Sequence, residues 1–264
     1  MEYRSSSNPL SISLYASEIG NILKQNHFCS RTETLKRVWY RMKGDRVPEP
    51  FRPSVDYVQL IGKTKQGAQI RRKKYTIKDF DRLEELVSSL KTSLKEEGKD
   101  EMVDAAEQFL RCEIGRNSED LAIDIAESCP SIGQCRSMQE KYCKKVWSSR
   151  GGDLEIFITG SIDCYDESGR VVEIKTRVGR RPCVKPHEIT QLQMYLFLTG
   201  APSGYVVELD NTLGLTIGKL FTFDDEWWSN EVVPALISFG DDLATSMRAN
   251  SLVILDDITF ADEY

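Results

Sequence analysis

Apolar residues in the first half of the chain recur at intervals of three or four positions, which is the spacing of amphipathic helices. The pattern predicts a first helix that begins at Ser17, whose hydroxyl suits an N-cap, and continues through Ile22 and Leu23. Further helices are predicted over 31–42, over 79–111 with a break at Gly98, and over 117–127. The first half is therefore expected to be mainly helical.

The pattern changes in the second half of the chain. Residues 153–165 and 169–177 are rich in β-branched side chains, and the turn sequence DESG joins them, which predicts an antiparallel hairpin. A helix is then predicted from 187 to Gly200, followed by strands on either side of Asn211 and by a helix over 224–248 that is kinked at Pro234. Helices, a block of strands with one inserted helix, and helices again predict a single α/β (α+β) domain over 1–264.

Composition agrees with a globular protein, because 40% of the residues are hydrophobic and 29% are charged. No apolar stretch approaches the ~18 residues of a membrane span, and the first residues do not resemble a secretory signal. We therefore expect a soluble, intracellular protein without membrane contact. The seven cysteines show no CxxC spacing, which favours reduced thiols over a zinc site or a disulfide framework.

The charge balance does not by itself favour a nucleic-acid partner, since 35 Lys and Arg face 41 Asp and Glu, giving a net charge of −6. Basic residues are nevertheless concentrated locally. The segment 63–78 holds seven basic side chains and no acidic one, and 175–185 is also basic and free of acids. Because electrostatic attraction acts over only about 10 Å at moderate salt, such strips can hold a phosphate backbone.

The candidate chemistry lies in the predicted hairpin. Asp163 ends its first strand, and Glu173 and Lys175 share one face of the second because side chains alternate along a strand. Two facing carboxylates repel each other unless a cation lies between them, and oxygen ligands favour Mg²⁺ or Mn²⁺ over zinc. The Lys175 ammonium beside such an ion can orient and help to deprotonate an attacking water. Gly160 precedes Asp163 in a GxxD sequence, where a glycine allows close approach of the backbone to a ligand.

These motifs, taken in order, resemble those of the RecB-like branch of the PD-(D/E)XK nucleases. The resemblance rests on GxxD at 160–163, EIK at 173–175 and QLxMY at 191–195. It narrows to the YqaJ and phage lambda exonuclease family through LYASEI at 14–19, GRNSEDLA at 115–122 and the QxQ pair Gln191 and Gln193. The segment 44–111 matches no family pattern and is expected to be an insertion-like basic and helical region.

The resemblance implies a restriction-endonuclease-like fold, with a mixed central sheet flanked by helices. It also implies a Mg²⁺-dependent (or Mn²⁺-dependent) deoxyribonuclease, a 5′→3′ exonuclease on linear duplex DNA in recombination, repair or viral DNA processing. Glu119, Asp163, Glu173 and the Ile174 carbonyl would hold the metal, with two ions about 4 Å apart. Lys175 would activate the attacking water, and Gln191 would hold the water or the phosphate. No iron–sulfur cluster is expected, and a single-strand annealing protein is a candidate partner.

DNA contacts are expected in three places. The N-terminal helix region is expected to line a pocket for a 5′ phosphate. The basic strips are expected to hold the phosphate backbone, and the QxQ helix is expected to make further contacts. The expected residues are Ser17, His27 and Arg31 in the pocket; Arg71, Arg72, Lys73, Lys74, Arg177, Arg180 and Arg181 in the strips; and Gln193 and Tyr195 on the helix.

Several alternatives remain open from sequence. An endonuclease or a single-strand exonuclease could use the same fold, because a fold does not fix polarity. A DNA-binding module that has lost catalysis and an RNA endonuclease of the cap-cleaving kind are further alternatives. The oligomeric state, the role of 44–111 and the cellular compartment are not determined by the sequence.

Overall fold

The computed structural model describes residues 9–179 and 181–252. Its helices are α1 (Ala16–Ile22), α2 (Arg31–Lys43), α3 (Tyr57–Ile61), α4 (Lys65–Lys73), α5 (Leu83–Glu96), α6 (Ala106–Asn117), α7 (Glu119–Glu127), α8 (Pro186–Thr199), α9 (Asp225–Trp227) and α10 (Val233–Ala249). Its strands are β1 (Leu10–Tyr15), β2 (Lys141–Ser148), β3 (Leu154–Ser161), β4 (Cys164–Tyr165), β5 (Val171–Arg177), β6 (Ser203–Asp210), β7 (Leu215–Ile217) and β8 (Phe221–Thr222). No helix in these ranges is long and apolar enough to cross a membrane.

Most predicted helices are confirmed, including the stop of α8 at Gly200 in a left-handed conformation. The predicted kink at Pro234 is a π-helical turn over Trp228–Val232 that leads into α10. Two strands, β1 and β2, were not predicted. The N-cap prediction at Ser17 is wrong, because α1 begins after Tyr15 and its cap bond runs from the Tyr15 amide to the Glu18 carboxylate.

The strands form two mixed sheets in place of one central sheet. In the first, β3 lies between β1, to which it is parallel, and β2, to which it is antiparallel. In the second, β5 pairs antiparallel with β4 and parallel with β6, and β6 also pairs with β7 and β8. The predicted hairpin is therefore real only over the short strand β4. The α/β class, with mixed sheets flanked by helices, is confirmed.

The chain changes sheets at Ile162 and Asp163, between β3 and β4. At this break the carboxylate of Asp163 accepts the Ile174 backbone N–H at 2.7 Å, so a side chain takes the place of a strand partner. The break therefore turns the Asp163 side chain toward β5.

Two hydrophobic clusters support the sheets. One packs β1 and β3 against α1, α2, α8 and α10, and the other packs β5 and β6 against α5, α6 and α7. The strand β5 touches both, with Val171 in the first cluster and Val172 and Ile174 in the second. Helices of the 44–111 segment thus share a core with β5. Its description as an insertion within one domain stays a prediction.

Candidate active site

The strand β5 places Glu173 and Lys175 together at the junction of the two clusters. Val172 and Ile174 are fixed in apolar surroundings, so the alternation of the strand puts Glu173 and Lys175 on its other side. Glu173 is only 2% exposed, which is unusual for a carboxylate. Asp163 reaches the same place through its bond to the Ile174 amide. The structure thus brings together the three residues on which the sequence prediction rests.

A chain of hydrogen bonds extends from this group into α8. The Lys175 Nζ donates to Glu173 Oε1 at 2.5 Å and to Gln191 Oε1 at 3.3 Å. The Gln191 Nε2 in turn donates to the Tyr195 hydroxyl at 2.7 Å. Because Gln191 and Tyr195 are one helical turn apart, α8 fixes the amide that contacts the ammonium.

Burial sets the protonation of these groups. It raises the pKa of Glu173 to about 8; the Lys175 ammonium opposes this shift, and the Asp163 charge adds to it. Burial also raises the pKa of Asp163, against the effect of the Ile174 N–H and of Lys175. For Lys175, burial acts to lower the pKa, but the charge and hydrogen bond of Glu173 and the charges of Asp163 and Glu188 together outweigh it, and the net pKa is raised. Lys175 is therefore a cation across the neutral range.

Glu119 approaches this group from α7. The residue is exposed, but its carboxylate loses part of its hydration, which raises its pKa, and the negative charge of Asp163 raises it further. The start of α7 is held by the Ser118 hydroxyl, which accepts the Ile77 N–H at 2.8 Å and donates to the Ile114 carbonyl at 2.6 Å. Ser118 is the N-cap residue of α7, but its side chain forms no cap bond and joins two other segments.

The carboxylates fit a hard divalent cation. Glu173 Oε2 is buried and has no hydrogen-bond partner. One carboxylate oxygen inside the site therefore has lone pairs that could bind a cation. The other donors nearby are also oxygens, the class that Mg²⁺ and Mn²⁺ prefer. Among the described residues, however, no three His, Cys, Asp or Glu side chains lie close enough together to hold a metal ion. The ligand set Glu119, Asp163, Glu173 and Ile174 stays a prediction.

Gly160 has a packing role. A Cβ at this position would lie 2.7 Å from Tyr195 Cε1 and 3.2 Å from the Ala16 Cβ. The prediction from the GxxD motif was that a ligand lies close to the Gly160 backbone. In the structure, side chains of α8 and α1 lie there. Since Tyr195 holds Gln191, the absent side chain of Gly160 makes room for the hydrogen-bond chain of the site.

Three arginines expected to contact DNA form ion pairs within the fold. Arg31 binds Asp242 at 2.6 Å, and Arg71 binds Glu113 at 3.1 Å. Arg177 is held between two buried carboxylates, those of Glu188 at 2.7 Å and Glu208 at 2.5 Å. Each of these buried carboxylates is stabilised by its guanidinium partner, so phosphate binding would compete with the ion pairs. DNA contact by the three arginines stays a prediction.

On helix α8, two residues that were expected to contact DNA are buried. Gln193 is 5% exposed, and its amide donates to the Thr222 carbonyl at 2.8 Å and accepts the Asp224 N–H at 3.0 Å. Both ends of this side chain are therefore used to join α8 to β8 and α9. Tyr195 is equally buried. Neither residue is available to DNA, and both predicted contacts are corrected to packing roles.

The remaining predicted contacts are exposed. They are Ser17, His27, Arg72, Lys73, Lys74 and Arg181, whereas Arg180 lies outside the described residues. The basic strip 63–78 contains the helix α4, and its end lies beside the end of α6, since Asn117 Nδ2 donates to the Tyr75 carbonyl at 3.1 Å. DNA contact by these side chains stays a prediction.

Sequence reasoning missed three residues around the site. Gln139 donates to Asp163 Oδ1 at 3.5 Å, and its backbone N–H donates to the Asp163 carbonyl at 3.2 Å. No sequence signal marks it, because it lies in a loop. Glu188 and Glu208 anchor Arg177 at the end of β5. Glu188 had a signal, since an acidic residue in the first turn of a helix is typical of a cap.

The chain is similar to several solved structures, all at low sequence identity. No protein-family model matches the chain, and no curated protein matches it in sequence. The chain is similar to the crystal structure of an alkaline exonuclease (LHK-Exo) from Laribacter hongkongensis, with 12% identity, a TM-score of 0.47 and 90% of each chain covered. It is also similar to a phage related exonuclease from Haemophilus somnus, with 11% identity, a TM-score of 0.45, and coverage of 89% of this chain and 96% of that one. A structure of LHK-Exo in complex with dAMP has 16% identity, a TM-score of 0.37, and coverage of 68% of this chain and 92% of that one.

Proposed function

We propose that this protein hydrolyses phosphodiester bonds of DNA with the help of a divalent metal ion, as a 5′→3′ exonuclease on linear duplex. One observation carries the proposal. Glu173 is a buried carboxylate whose Oε2 has no partner and whose Oε1 is bound to Lys175, with Asp163 beside it. Such an arrangement is costly for a fold and is typical of a site that binds a cation and acts on a charged group.

The residues of the site would have distinct roles in metal binding and in hydrolysis. Asp163 and Glu173, with Glu119 and the Ile174 carbonyl, would hold Mg²⁺ or Mn²⁺. When bound, the ion supplies positive charge that stabilises the phosphoryl oxygens and lowers the pKa of a water. The carboxylates then lose their protons, because a cation favours the ionised form.

Lys175 acts on the attacking water and on the charge that develops at phosphorus. Its Nζ is held between Glu173 and Gln191, so its position needs no rearrangement during the reaction. Gln191 is itself fixed by Tyr195, and its Oε1 can accept a hydrogen bond from a water at the site. Burial of these groups keeps bulk water away and strengthens each electrostatic contact.

The proposal is tested with labelled DNA in the presence of Mg²⁺. Linear duplex with a 5′ phosphate should be digested from the 5′ end, whereas covalently closed circles and RNA of the same sequence should survive. Asp163→Asn should abolish the cleavage. Glu140→Gln is the matched control, since it removes the charge of an exposed acid directly after Gln139 and should cleave like the wild type.

Other outcomes would assign other functions. Rapid cutting of closed circles would identify an endonuclease, and digestion from 3′ ends would contradict the polarity. Cleavage of RNA alone would contradict the DNA substrate. If DNA is bound but not cleaved with either Mg²⁺ or Mn²⁺, the protein is a binding module and the catalytic proposal is wrong.

A further inference from the structure

Among the described residues, neither hydrophobic cluster covers one face of the first sheet. Buried positions alternate with exposed ones along β1 and with partly buried ones along β3, so that Ile12, Leu14, Ile156 and Ile158 point into the core. The other side, here called the outer sheet face, carries Ser13, Tyr15, Glu155, Phe157, Thr159, Lys141 and Lys145. An uncovered sheet face with aromatic side chains requires an explanation, because apolar area on a surface often marks a binding site.

Two aromatic rings lie on this face. Tyr15 is 50% exposed, and Phe157 is half-buried but packs against neither core cluster of the described residues. Tyr15 pairs with Thr159, so Phe157 is its diagonal neighbour. The strand spacing and the rise per residue place their Cα atoms roughly 8 Å apart. Two rings at this separation can each receive one base of an extended strand.

The outer sheet face carries three basic side chains, two of which are paired with acids, although the chain as a whole is acidic. Lys141 is exposed and forms no ion pair with a described residue, while Lys145 pairs with Glu155 at 3.1 Å. The Arg41 guanidinium lies over the Tyr15 ring, 4.4 Å from its centroid, and pairs with Glu18 at 2.8 Å. Cations at the rim of an aromatic surface suit a phosphate backbone whose bases stack on the rings.

The outer sheet face is continuous with the candidate active site. Lys141, the first residue of β2, pairs with Ser161, which is two residues before Asp163. The loop before β2 also holds Gln139, which contacts Asp163 directly. The end of the outer sheet face at Lys141 therefore lies close to Asp163.

We propose that the outer sheet face binds single-stranded DNA, with bases stacked on Tyr15 and Phe157 and a phosphate beside Lys141. The proposal rests on the proposed function for its choice of DNA as the nucleic acid. Single-stranded DNA is favoured over duplex because the bases of a duplex are already stacked on each other and cannot stack on the rings. The face would hold one strand of the substrate next to the site while the other is digested.

The test measures binding without cleavage. Fluorescence anisotropy of labelled oligothymidylate is recorded in EDTA for the wild type and for Tyr15→Leu/Phe157→Leu, which keeps apolar volume but removes both rings. We expect the wild type to bind the oligothymidylate more tightly than a duplex hairpin, and the double variant to bind it at least tenfold more weakly. Tyr40→Leu is the matched control, because Tyr40 is an exposed aromatic on α2 (36%) that should not affect binding.

A second variant keeps the test informative if the double variant does not fold by circular dichroism. Lys141→Gln removes one exposed cation and should reduce the log–log salt slope of binding by about 0.7. An unchanged affinity in the folded double variant, or an unchanged slope in Lys141→Gln, would overturn the proposal. So would preferential duplex binding, or a wild-type oligomer in sedimentation velocity that Tyr15→Leu/Phe157→Leu dissociates, since the face would then be an interface between copies.

The result is separable from the proposed function. Binding is measured without metal, so loss of cleavage in a nuclease assay does not affect it. If the wild type cleaves DNA but single-strand binding is unchanged in the variants, only this proposal fails. If single strands bind through the rings but nothing is cleaved, only the nuclease proposal fails.

Discussion

Metal binding at this site should be coupled to proton release, and the structure gives the direction. Burial raises the pKa of Glu173 to about 8, so at neutral pH the carboxyl group holds a proton in the absence of metal. A carboxylate ligand must lose that proton to bind a cation. Lys175 does not contribute, because its pKa is raised and it stays charged through this range. The affinity for Mg²⁺ should therefore rise with pH up to about 8 and then level off.

The size of the effect follows from the fraction of Glu173 that is ionised. With a pKa of about 8, roughly a tenth is ionised at pH 7 and roughly a hundredth at pH 6. The apparent association constant for Mg²⁺ should thus fall about tenfold per pH unit below 8, or about 1.4 kcal/mol for each unit. A carboxylate with an ordinary pKa near 4.3 would give almost no change between pH 6 and 8.

Isothermal titration calorimetry measures this coupling directly. Titrations at pH 7 in two buffers with different ionisation enthalpies should show the release of about one proton per protein. Glu173→Gln should bind Mg²⁺ weakly and without buffer-dependent heat, whereas Glu140→Gln should behave like the wild type. A dissociation constant that stays the same between pH 6 and 8, or heats that do not depend on the buffer, would refute the assignment of Glu173 as a buried, protonated metal ligand.

Three further substitutions test the roles of particular residues. Lys175→Gln should lower single-turnover cleavage by about 10²-fold or more while keeping the thermal stabilisation by Mg²⁺; near-normal cleavage would remove Lys175 from the mechanism. Arg31→Ala should destabilise the fold by roughly 3 kcal/mol in urea unfolding, because it removes the cation that lies 2.6 Å from the buried Asp242 carboxylate. It should not change the preference for 5′-phosphorylated ends, and the reverse result would support a role in end binding. Gly160→Ala should cost roughly 1–3 kcal/mol and also slow cleavage, since its methyl group displaces Tyr195 and with it Gln191; full activity would mean that the ring moves freely.

The local pattern of the sequence was sufficient for the catalytic group and for most elements. The alternation in VVEIK predicts a strand with Glu173 and Lys175 on one side, and β5 has this form. The helical period predicted α2, α5, α6 and α8, and a glycine predicted the end of α8. These features depend on residues close together in the chain, so their periodicity is visible before folding.

The sequence could not show which basic side chains form ion pairs with carboxylates of the fold. Arg31, Arg71 and Arg177 have the composition of phosphate contacts, yet their carboxylate partners come from distant elements. Asp242, for example, is on α10, near the other end of the chain. An ion pair depends on which elements pack together, and packing is a property of the whole fold.

The position of Asp163 and the exposure of the first sheet also required the tertiary structure. The sequence predicted a continuous first strand in the hairpin, but this strand is interrupted after Ser161. Its first part, β3, belongs to the first sheet, and its second part, β4, belongs to the second sheet. This break brings the Asp163 carboxylate to the Ile174 amide. Tyr15 and Phe157 lie on the face of the first sheet that neither cluster of the described residues covers. Periodicity tells which residues share a side of a strand, but only the packing of helices against the sheets decides which side meets solvent.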